Sequence, residues 1–345
     1  MSGIIAYGTY IPKYRIKLSE IAAIWQKDAA EIAGGLGIVE KSVPAYDEDA
    51  VTMAIEAAKR ALRMAEIEPT NIGSLYIGSE SHPYAVNPSS SIVGEYLEIG
   101  NNYFAADLEF ACKGATAAIS MTAGLLDSSQ ISYGLVIGSD TAQGKPHDTL
   151  EYTAASAACA YILGKNPSEN IANMLAMSSF TSDTPSFWRR DGSKYPSHAG
   201  RFTGEPAYFT HVMAEAKKLF DISGLQPEEF EYCVFHMPNG KFPRTVAKRL
   251  GFTQEQLAPS LTVDTIGNPY TASALLGLAA VLDIAKPQEK IFFVSYGSGD
   301  GSDGFIFETT EHIVKKQQQS MSVFKQLEHK AYISYGQYLK QMHVI

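Results

Sequence analysis

Four polar residues whose side chains can catalyse acyl transfer stand at two matched spacings in this sequence. Glu80 follows the apolar run S-L-Y-I-G-S, and Cys112 follows F-A-A-D-L-E-F-A, 32 residues further on. In the second half, His236 follows Y-C-V-F and Asn268 follows L-T-V-D-T-I-G, again 32 residues apart. A thiol, an imidazole, a carboxylate and an amide are the groups that nucleophilic catalysis with proton transfer uses. The repeat therefore predicts one active site built from both halves of the chain.

Each of these residues also has a structural interpretation. Cys112 precedes a helical run rich in Ala and Gly, where the helix dipole favours a thiolate, but a cysteine there also packs as a small apolar side chain. His236 is a candidate general base whose pKa can be tuned near neutrality, while Asn268 also suits a helix cap or turn. Glu80 alone would be a solvated loop acid, and partial burial would raise its pKa. The matched spacing favours catalysis.

The remaining candidates divide between core and binding roles. Cys159 and Cys233 lie inside apolar runs, where core packing is the simpler interpretation. The glycine-rich segment 297–304 lacks the G-K-[ST] ending of a phosphate loop, so it is predicted to aim backbone N–H groups at a substrate oxygen. Among the basic residues, Lys241 and Arg201 flank the motif residues and are the better candidates to bind a phosphate or an amide.

Composition excludes several classes of function. The 345 residues carry a net charge of −9, which argues against nucleic acid as a partner because phosphate backbones need a basic face. Three cysteines without C-x-x-C spacing predict neither a disulfide framework nor a zinc site. The N-terminus lacks the pattern of a signal peptide, and no apolar run reaches the ~18 residues of a membrane span. We expect a soluble, cytoplasmic protein with no metal and no membrane contact.

Alternating strand and helix patterns predict an α/β fold of two similar halves. We place the first half at residues 1–165, a connecting segment at 166–230 and the second half at 231–345. Strands are predicted near 74–79, 104–111, 134–139 and 157–163, and helices after the acidic run at 47–49 and from about Ala207 to Asp221. The tail from Glu311 carries the aromatic run Y-I-S-Y-G-Q-Y near its end and has no predicted element.

Five motifs give the chain a family resemblance over nearly its whole length. They are G-S-E-S at Glu80, E-F-A-C-K-G at Cys112, F-H-M-P-N-G-K at His236, G-N-P-Y-T-A-S at Asn268 and S-Y-G-S-G ending at Gly299. With them the chain resembles the short archaeal 3-hydroxy-3-methylglutaryl-CoA (HMG-CoA) synthases. The resemblance implies a thiolase-like αβαβα five-layer fold, a homodimer, and an acyltransferase without a cofactor, because coenzyme A (CoA) thioesters are its substrates.

The resemblance also implies a role for each motif residue. Cys112 would be acetylated by acetyl-CoA, and Glu80 would take a proton from the acetyl methyl group. The enolate would attack the ketone carbon of acetoacetyl-CoA, held by His236 and Asn268, and water would release HMG-CoA, an intermediate of the mevalonate route to isoprenoids. The backbone N–H groups of Cys112 and Ser298 match the oxyanion-hole positions of the family.

Binding residues and partners follow from the same resemblance. Lys241 matches a CoA-contacting lysine, and shorter motifs match Asp28, Ala29, Thr153, Arg201 and Thr203. Archaeal relatives pair with an acetoacetyl-CoA thiolase and a small zinc-containing bridging protein. One position departs from the pattern, because relatives commonly carry Asp before F-W-R and this chain has Ser186, with Asp183 three residues earlier.

Two other functions fit parts of the pattern. An initiating β-ketoacyl-carrier-protein synthase would use the same Cys, His and Asn, but decarboxylation supplies its enolate, so it needs no carboxylate base. Glu80 therefore disfavours it. A non-catalytic thiolase-fold scaffold subunit would usually lack the nucleophile or its partners, whereas this chain keeps all four polar positions.

Overall fold

The computed structural model describes residues 2–345, with the side chain of Arg201 left outside that description. The strands are β1 Gly3–Tyr10, β2 Tyr14–Lys17, β3 Glu40–Val43, β4 Ile72–Gly78, β5 Phe104–Leu108, β6 Tyr133–Thr141, β7 Ser156–Gly164, β8 Ala172–Thr181, β9 Phe187–Trp188, β10 Ser197–His198, β11 Tyr232–Phe235, β12 Lys290–Val294, β13 Gly301–Thr309 and β14 Ala331–Tyr332. The helices are α1 Leu18–Ile24, α2 Ala29–Leu36, α3 Ala50–Ala65, α4 Ser89–Tyr96, α5 Gly114–Asp127, α6 Thr149–Thr153, α7 Thr210–Ser223, α8 Lys241–Leu250, α9 Gln254–Leu257, α10 Val263–Ile266, α11 Ser273–Leu282, α12 His312–Gln317, α13 Val323–Glu328 and α14 Tyr335–Gln341.

The central sheet repeats one strand arrangement twice. Its order is β11-β12-β13-β8-β1-β7-β6-β4-β5. In both halves a parallel pair, β4–β6 or β11–β12, is followed by two antiparallel neighbours, β7–β1 or β13–β8. The halves join through a short antiparallel pairing of β1 with β8, at Gly3–Asn173 and Ile4–Ala172. The duplication inferred from the motif spacing is thus present in the sheet.

Helices form three layers around the two halves of the sheet. α3 covers β1, β6 and β7 on the outside of the first half, and α7 covers β8 and β13 on the outside of the second. α5 packs on β4 and β6 between the halves, while α11 contacts β11 and β12 on one side and β1 and β7 on the other. Every residue of α11 is buried, which explains why its sequence, S-A-L-L-G-L-A-A-V-L, shows no polar face. The expected αβαβα five-layer fold is confirmed.

Several predicted elements agree with the structure and three differ. The strands predicted in the first half appear as β4, β5, β6 and β7, and Asp49 caps α3 through a capping box with Thr52. The helix expected from about Ala207 begins instead at Thr210, after the π-helical segment Gly204–Phe209. The segment before Asn268 is the short helix α10, not a strand. The tail holds α12, α13, β14 and α14.

The tail completes a small second sheet of order β14-β2-β3. All four residues of β3 are buried, including Glu40 and Lys41. The predicted boundaries at residues 165 and 230 stay a prediction, and β8, which lies between them, pairs with β13 of the second half. Within residues 2–345, no helix is long and apolar enough to cross a membrane.

Candidate active site

Cys112 lies in a tight connection between β5 and α5. Ala111, directly before it, has φ of 43°, a left-handed conformation that costs a non-glycine residue free energy and is common beside reactive groups. The first turn of α5 lies so close to β4 that a Cβ atom on Gly78 would stand 2.1 Å from the Ala115 nitrogen. This close approach holds the Cys112 thiol, which is 4% exposed, beside the end of β4.

The Cys112 thiol donates a hydrogen bond to Oε1 of Glu80 at 2.8 Å. Burial, assisted by the charge of Asp140, raises the pKa of Glu80 to about 8. Burial and the neighbouring Glu80 also raise the pKa of Cys112 well above its usual value. The thiolate expected from the helix dipole is therefore wrong for the resting site, because desolvation and a carboxylate outweigh the dipole. A protonated thiol facing a carboxylate near pH 8 can pass its proton directly to Glu80.

Asp140, at the end of β6, holds the Glu80 loop in place. β4 and β6 pair in register at Gly78 and Gly138, so Glu80 and Asp140 both lie two residues past a paired glycine. The buried Asp140 carboxylate accepts hydrogen bonds from the Glu80 amide at 2.8 Å, and also from Ser79, Ser81 and Thr271 at 2.6–3.0 Å. Sequence reasoning overlooked it, although an acid after G-S at a strand end repeats the Glu80 pattern.

His236 and Asn268 come from the second half, as the repeat predicts. His236 follows β11, is fully buried, and neither ring nitrogen has a hydrogen-bond partner among the described residues. Burial lowers its pKa to about 3, so the expected tuning to neutrality is wrong and the imidazole is neutral at physiological pH. Asn268 is not at a strand end; it pairs with the chain after α6, donating its amide to the Thr153 carbonyl at 2.7 Å.

The glycine-rich loop packs against the Cys112 connection. The loop includes Ser298, which lines the same pocket as Cys112. Lys113 runs past this loop to a buried ion pair with Asp303 on β13, with Nζ and Oδ1 2.8 Å apart. A Cβ atom on Gly297 would stand 2.7 Å from the Phe110 carbonyl oxygen, so glycine is needed for the close approach. The Cys112 and Ser298 backbones are thereby fixed relative to each other.

These groups surround a cavity of about 390 Å³. Of the residues singled out from sequence, Cys112, Thr153, Thr203, Asn268 and Ser298 line it. Glu80 reaches Cys112 from the opposite side, where it lines a smaller cavity with Arg189 and Asp140. The remaining walls are mostly apolar or aromatic and include Leu36, Leu150, Phe187, Phe242, Tyr270 and Tyr296. Such a cavity suits a small acyl group attached to a longer, partly apolar carrier.

The other predicted binding residues lie outside the cavity. Asp28 lines an adjoining groove, which shares Leu36 and Thr149 with the main cavity, and caps α2, whose first residue is Ala29. Lys241 is exposed at the start of α8, between the cavity-lining residues Asn239 and Phe242. The side chain of Arg201 belongs to the part of the chain that is not described. The structure therefore brings Cys112, Glu80 and Asn268 together and leaves Asp28 and Lys241 at the periphery. His236 does not line the cavity among the described residues; it lies behind the cavity-lining Tyr296, with ring centres 6.1 Å apart.

Comparison with known proteins identifies the family. Two curated archaeal proteins, each named hydroxymethylglutaryl-CoA synthase, are 54% identical to this chain: those of Archaeoglobus fulgidus and Methanocaldococcus jannaschii. Each alignment covers 99% of this chain and 98% of the relative. The chain belongs to the hydroxymethylglutaryl-CoA synthase family.

Domain-level matches and solved structures show which fold this chain has. The family model of 3-oxoacyl-[acyl-carrier-protein] synthase III matches residues 106–183. The model of the C-terminal part of the same enzyme matches residues 220–309. A structure of MvaS in complex with 3-hydroxy-3-methylglutaryl coenzyme A superposes with a TM-score of 0.87 at 23% identity, covering 99% of this chain and 91% of the other. The synthase III of Aquifex aeolicus gives 0.82 at 20% identity, covering 89% and 100%. At these identities the matches establish the shared fold.

Ser186, the position that departs from the HMG-CoA synthase pattern, is buried beside the glycine-rich loop. The chain around it runs along this loop, with the Thr184 amide donating to the Gly299 carbonyl at 2.7 Å. Asp183 instead lines an outer cavity with Glu80 and Asp300. Asp183 is therefore not in the place that Ser186 occupies.

Proposed function

We propose that this chain condenses acetyl-CoA with acetoacetyl-CoA and water to give HMG-CoA and CoA. The observation that carries the proposal is the 2.8 Å hydrogen bond from the Cys112 thiol to Glu80. A nucleophile paired with its own carboxylate base is what an unactivated acetyl donor requires, because its enolate must form by proton abstraction and not by loss of carbon dioxide. The family membership supports the same reaction.

The first step is acetyl transfer to Cys112. Its thiol proton passes to Glu80 as sulfur attacks the acetyl carbonyl, and CoA leaves as the thiol after taking that proton. We assign the oxyanion to the backbone N–H groups of Cys112 and Ser298, in agreement with the packing of their two loops. Two such donors act best when the loops cannot move apart, and the Lys113–Asp303 ion pair fastens one loop to the strand that follows the other.

The second step is carbon–carbon bond formation. Glu80 takes a proton from the acetyl methyl group, and the enolate carbon attacks the ketone carbon of acetoacetyl-CoA. We assign the neutral His236 and the Asn268 amide to the ketone oxygen, because both are buried and His236 has ring nitrogens without partners among the described residues. The new alkoxide takes the proton that Glu80 removed from the methyl group, which returns Glu80 to its carboxylate. Water then cleaves the thioester to Cys112, which returns the thiol and releases HMG-CoA.

Binding of the CoA carrier is assigned to the mouth of the cavity. Lys241 is exposed there and supplies a positive charge on a chain with a net charge of −9. Thr153 and Thr203 line the cavity itself. Asp28, Ala29 and Arg201 are proposed as further residues that bind the substrate or its CoA carrier. We also propose a homodimer, which a molar-mass measurement tests. Association with an acetoacetyl-CoA thiolase and a zinc-containing bridging protein is a further proposal, which co-purification tests.

Product analysis tests the proposed reaction. Wild-type protein given acetyl-CoA labelled in the acetyl group and acetoacetyl-CoA is expected to form a labelled six-carbon acyl-CoA, detected by mass spectrometry. Cys112→Ala is expected to carry no acetyl label, whereas Cys159→Ala, altered in the core, should keep both label and product. Stoichiometric acetylation of the Cys112→Ala protein, or condensation only with malonyl carrier protein, would contradict the proposal.

A further inference from the structure

The C-terminal segment, residues 330–341, is bound to the body of the protein through buried polar contacts. β14 pairs with β2, and the Tyr332 hydroxyl donates to Oε2 of Glu40 on β3 at 2.8 Å. α14 then places Tyr335 and Tyr338 inward, where they are 8% and 3% exposed. The mechanism uses none of these side chains, and their aromatic pattern had no interpretation from sequence.

The Tyr335 hydroxyl reaches Glu151, a fully buried carboxylate in the middle of α6. Oε1 of Glu151 accepts from Tyr335 at 2.8 Å, and Oε2 accepts from the Trp25 indole N–H at 2.9 Å and the His147 amide at 2.8 Å. A buried carboxylate is tolerated only while such donors surround it. Three donors from different parts of the chain therefore determine where α6 lies.

Tyr338 reaches the same helix through a second buried group. The Lys41 ammonium donates to the Tyr338 hydroxyl at 3.2 Å, lies 4.5 Å from the centre of its ring, and also donates to the Glu151 carbonyl. The Lys41 stem packs beside Gly267, since a Cβ atom on that glycine would stand 3.0 Å from the Lys41 Cβ. Lys41 thus joins the C-terminal segment to α6 and to the residue preceding Asn268.

α6 and the segment around Asn268 form one wall of the catalytic cavity. Thr149, Leu150 and Thr153 line the cavity together with Asn268. The backbone N–H of Asn268 donates to the Thr153 carbonyl at 2.7 Å, and the backbone N–H of Ala155 donates to the Asn268 carbonyl at 3.0 Å. Any shift of α6 must therefore move the Asn268 backbone, and the side-chain amide moves with it. The Cys112–Glu80 pair makes none of these hydrogen bonds: Asp140 holds the Glu80 loop, and Cys112 meets the wall through apolar packing with Ala154 and Tyr270.

We propose that the C-terminal segment is a positioning element for the acceptor wall of the cavity, α6 with Asn268, and that it leaves the Cys112–Glu80 pair unaffected. This inference rests on the proposed function for what the wall binds. When the segment loosens, the wall samples positions that do not hold acetoacetyl-CoA. The apparent affinity for that substrate then falls in proportion to the lost fraction of the competent state.

Tyr335→Phe tests the proposal because it removes the hydroxyl bonded to Glu151 and keeps the ring. We expect the KM for acetoacetyl-CoA to rise roughly tenfold, since a buried carboxylate loses a donor, with a smaller change in kcat. The rate of Cys112 alkylation by iodoacetamide should stay unchanged. Trp25→Phe should raise the KM for acetoacetyl-CoA by a similar factor. In the double variant the KM should rise by less than the product of the two factors, because both hydrogen bonds end on the Glu151 carboxylate.

Tyr133→Phe is the matched control. The Tyr133 hydroxyl also donates to a carboxylate, that of Glu169, at 2.8 Å, but Tyr133 begins β6, whereas Asp140 lies near the end of that strand. This variant should leave the KM for acetoacetyl-CoA unchanged. Hydrogen exchange gives a readout that needs no activity: Tyr335→Phe should increase deuterium uptake at 149–156 and 266–270, and not at 110–114. Unchanged uptake at both segments would overturn the positioning role even if the protein proved inactive. An equal rise in the KM for acetoacetyl-CoA in Tyr133→Phe would overturn the proposal, because the effect would then be general destabilisation.

Discussion

At the scale of single residues, two carboxyl groups, those of Glu80 and Asp140, lie close to the reactive thiol of Cys112. Glu80 accepts the Cys112 proton, and Asp140 holds the Glu80 backbone while its charge raises the Glu80 pKa. A carboxyl with a pKa of about 8 is protonated often enough at neutral pH to act as an acid and ionised often enough to act as a base. The surroundings of Glu80, more than its presence, make both proton transfers feasible.

The pH dependence of condensation should follow the ionisation of Glu80. Because the base must be charged, the rate from pre-acetylated enzyme is expected to rise with pH and level off above about 8. Asp140→Asn removes the neighbouring charge and keeps an oxygen acceptor, so the midpoint should move to lower pH. Stopped-flow rates across pH 5.5–9.5, an assay range of about four units, measure this. A midpoint unchanged by Asp140→Asn would mean that burial alone sets the Glu80 pKa.

Glu80→Gln should separate acetylation from condensation. The charge of Glu80 raises the Cys112 pKa, so removing it lowers that pKa. The thiol can then lose its proton to solvent, and acetylation should continue, although more slowly than with Glu80 as the proton acceptor. Condensation should fall by ~10²–10⁴-fold, the usual effect of losing a general base. Acetyl label per chain and single-turnover product formation measure the two steps. An unlabelled variant that condenses normally when supplied as acetyl-enzyme would show that the roles are reversed.

The free energy of unfolding should also depend on the ionisation of Glu80. The Glu80 pKa is raised from 4.5 to about 8, so between these values the folded chain binds one proton more than the unfolded chain at this position. By linkage, the contribution of Glu80 to stability falls as pH rises through this window. Glu80→Gln should therefore be more stable than wild type at pH 8 and similar at pH 4.5. Urea unfolding at both values tests this, and equal differences at both would contradict it.

At the scale of elements, the glycine-rich loop is predicted to be sensitive to one methyl group. Gly297→Ala would place a Cβ atom 2.7 Å from the Phe110 carbonyl and 2.8 Å from Lys113 Cγ, forcing the Ser298 loop away from Cys112. We expect kcat to fall by ~10²-fold or more, as when an oxyanion donor is misplaced. Gly124→Ala in α5, where a Cβ meets nothing within 4 Å, is the control and should leave kcat unchanged. Equal activity of both variants would show that the loop is not the oxyanion hole.

Element prediction from sequence succeeded where a residue's neighbours along the chain decide its structure. Buried parallel strands such as β4 and β6 show as apolar runs, and Asp49 marks the start of α3. The run before Asn268 is also apolar, yet it forms α10, because the second half lacks a counterpart of β5. The tail failed for a similar reason: Tyr335 and Tyr338 are ordered by contacts to Glu151 and Lys41, far away in sequence. Contacts of this kind leave no periodic pattern.

At the scale of the whole molecule, duplication explains why the site was predictable and its support was not. Matched spacings predicted one site from both halves, and Cys112 and Asn268 line the same cavity in a fold whose halves repeat one strand order. The role of His236 in that site stays a prediction. Asp140 and the Lys113–Asp303 ion pair make contacts between the two halves, so the pattern within one half does not predict them. Thr271, for example, donates to Asp140 across the boundary between the halves. Motif spacing identifies reacting groups, whereas their positioning depends on the assembled fold.

The central sheet ends at an open edge that could pair with a second chain. Within residues 2–345, β5 pairs with β4 alone, and Phe104 on β5 is 52% exposed. Unpaired edge strands with apolar side chains favour association, and pairing of β5 with its copy would form an isologous dimer. Wild type should therefore show about twice the chain mass of 37.5 kDa by sedimentation equilibrium, and Phe104→Asp should shift it toward monomer. Met321→Asp, on an exposed side chain of the tail, is the control and should stay dimeric. A wild-type monomer at all concentrations would exclude this interface.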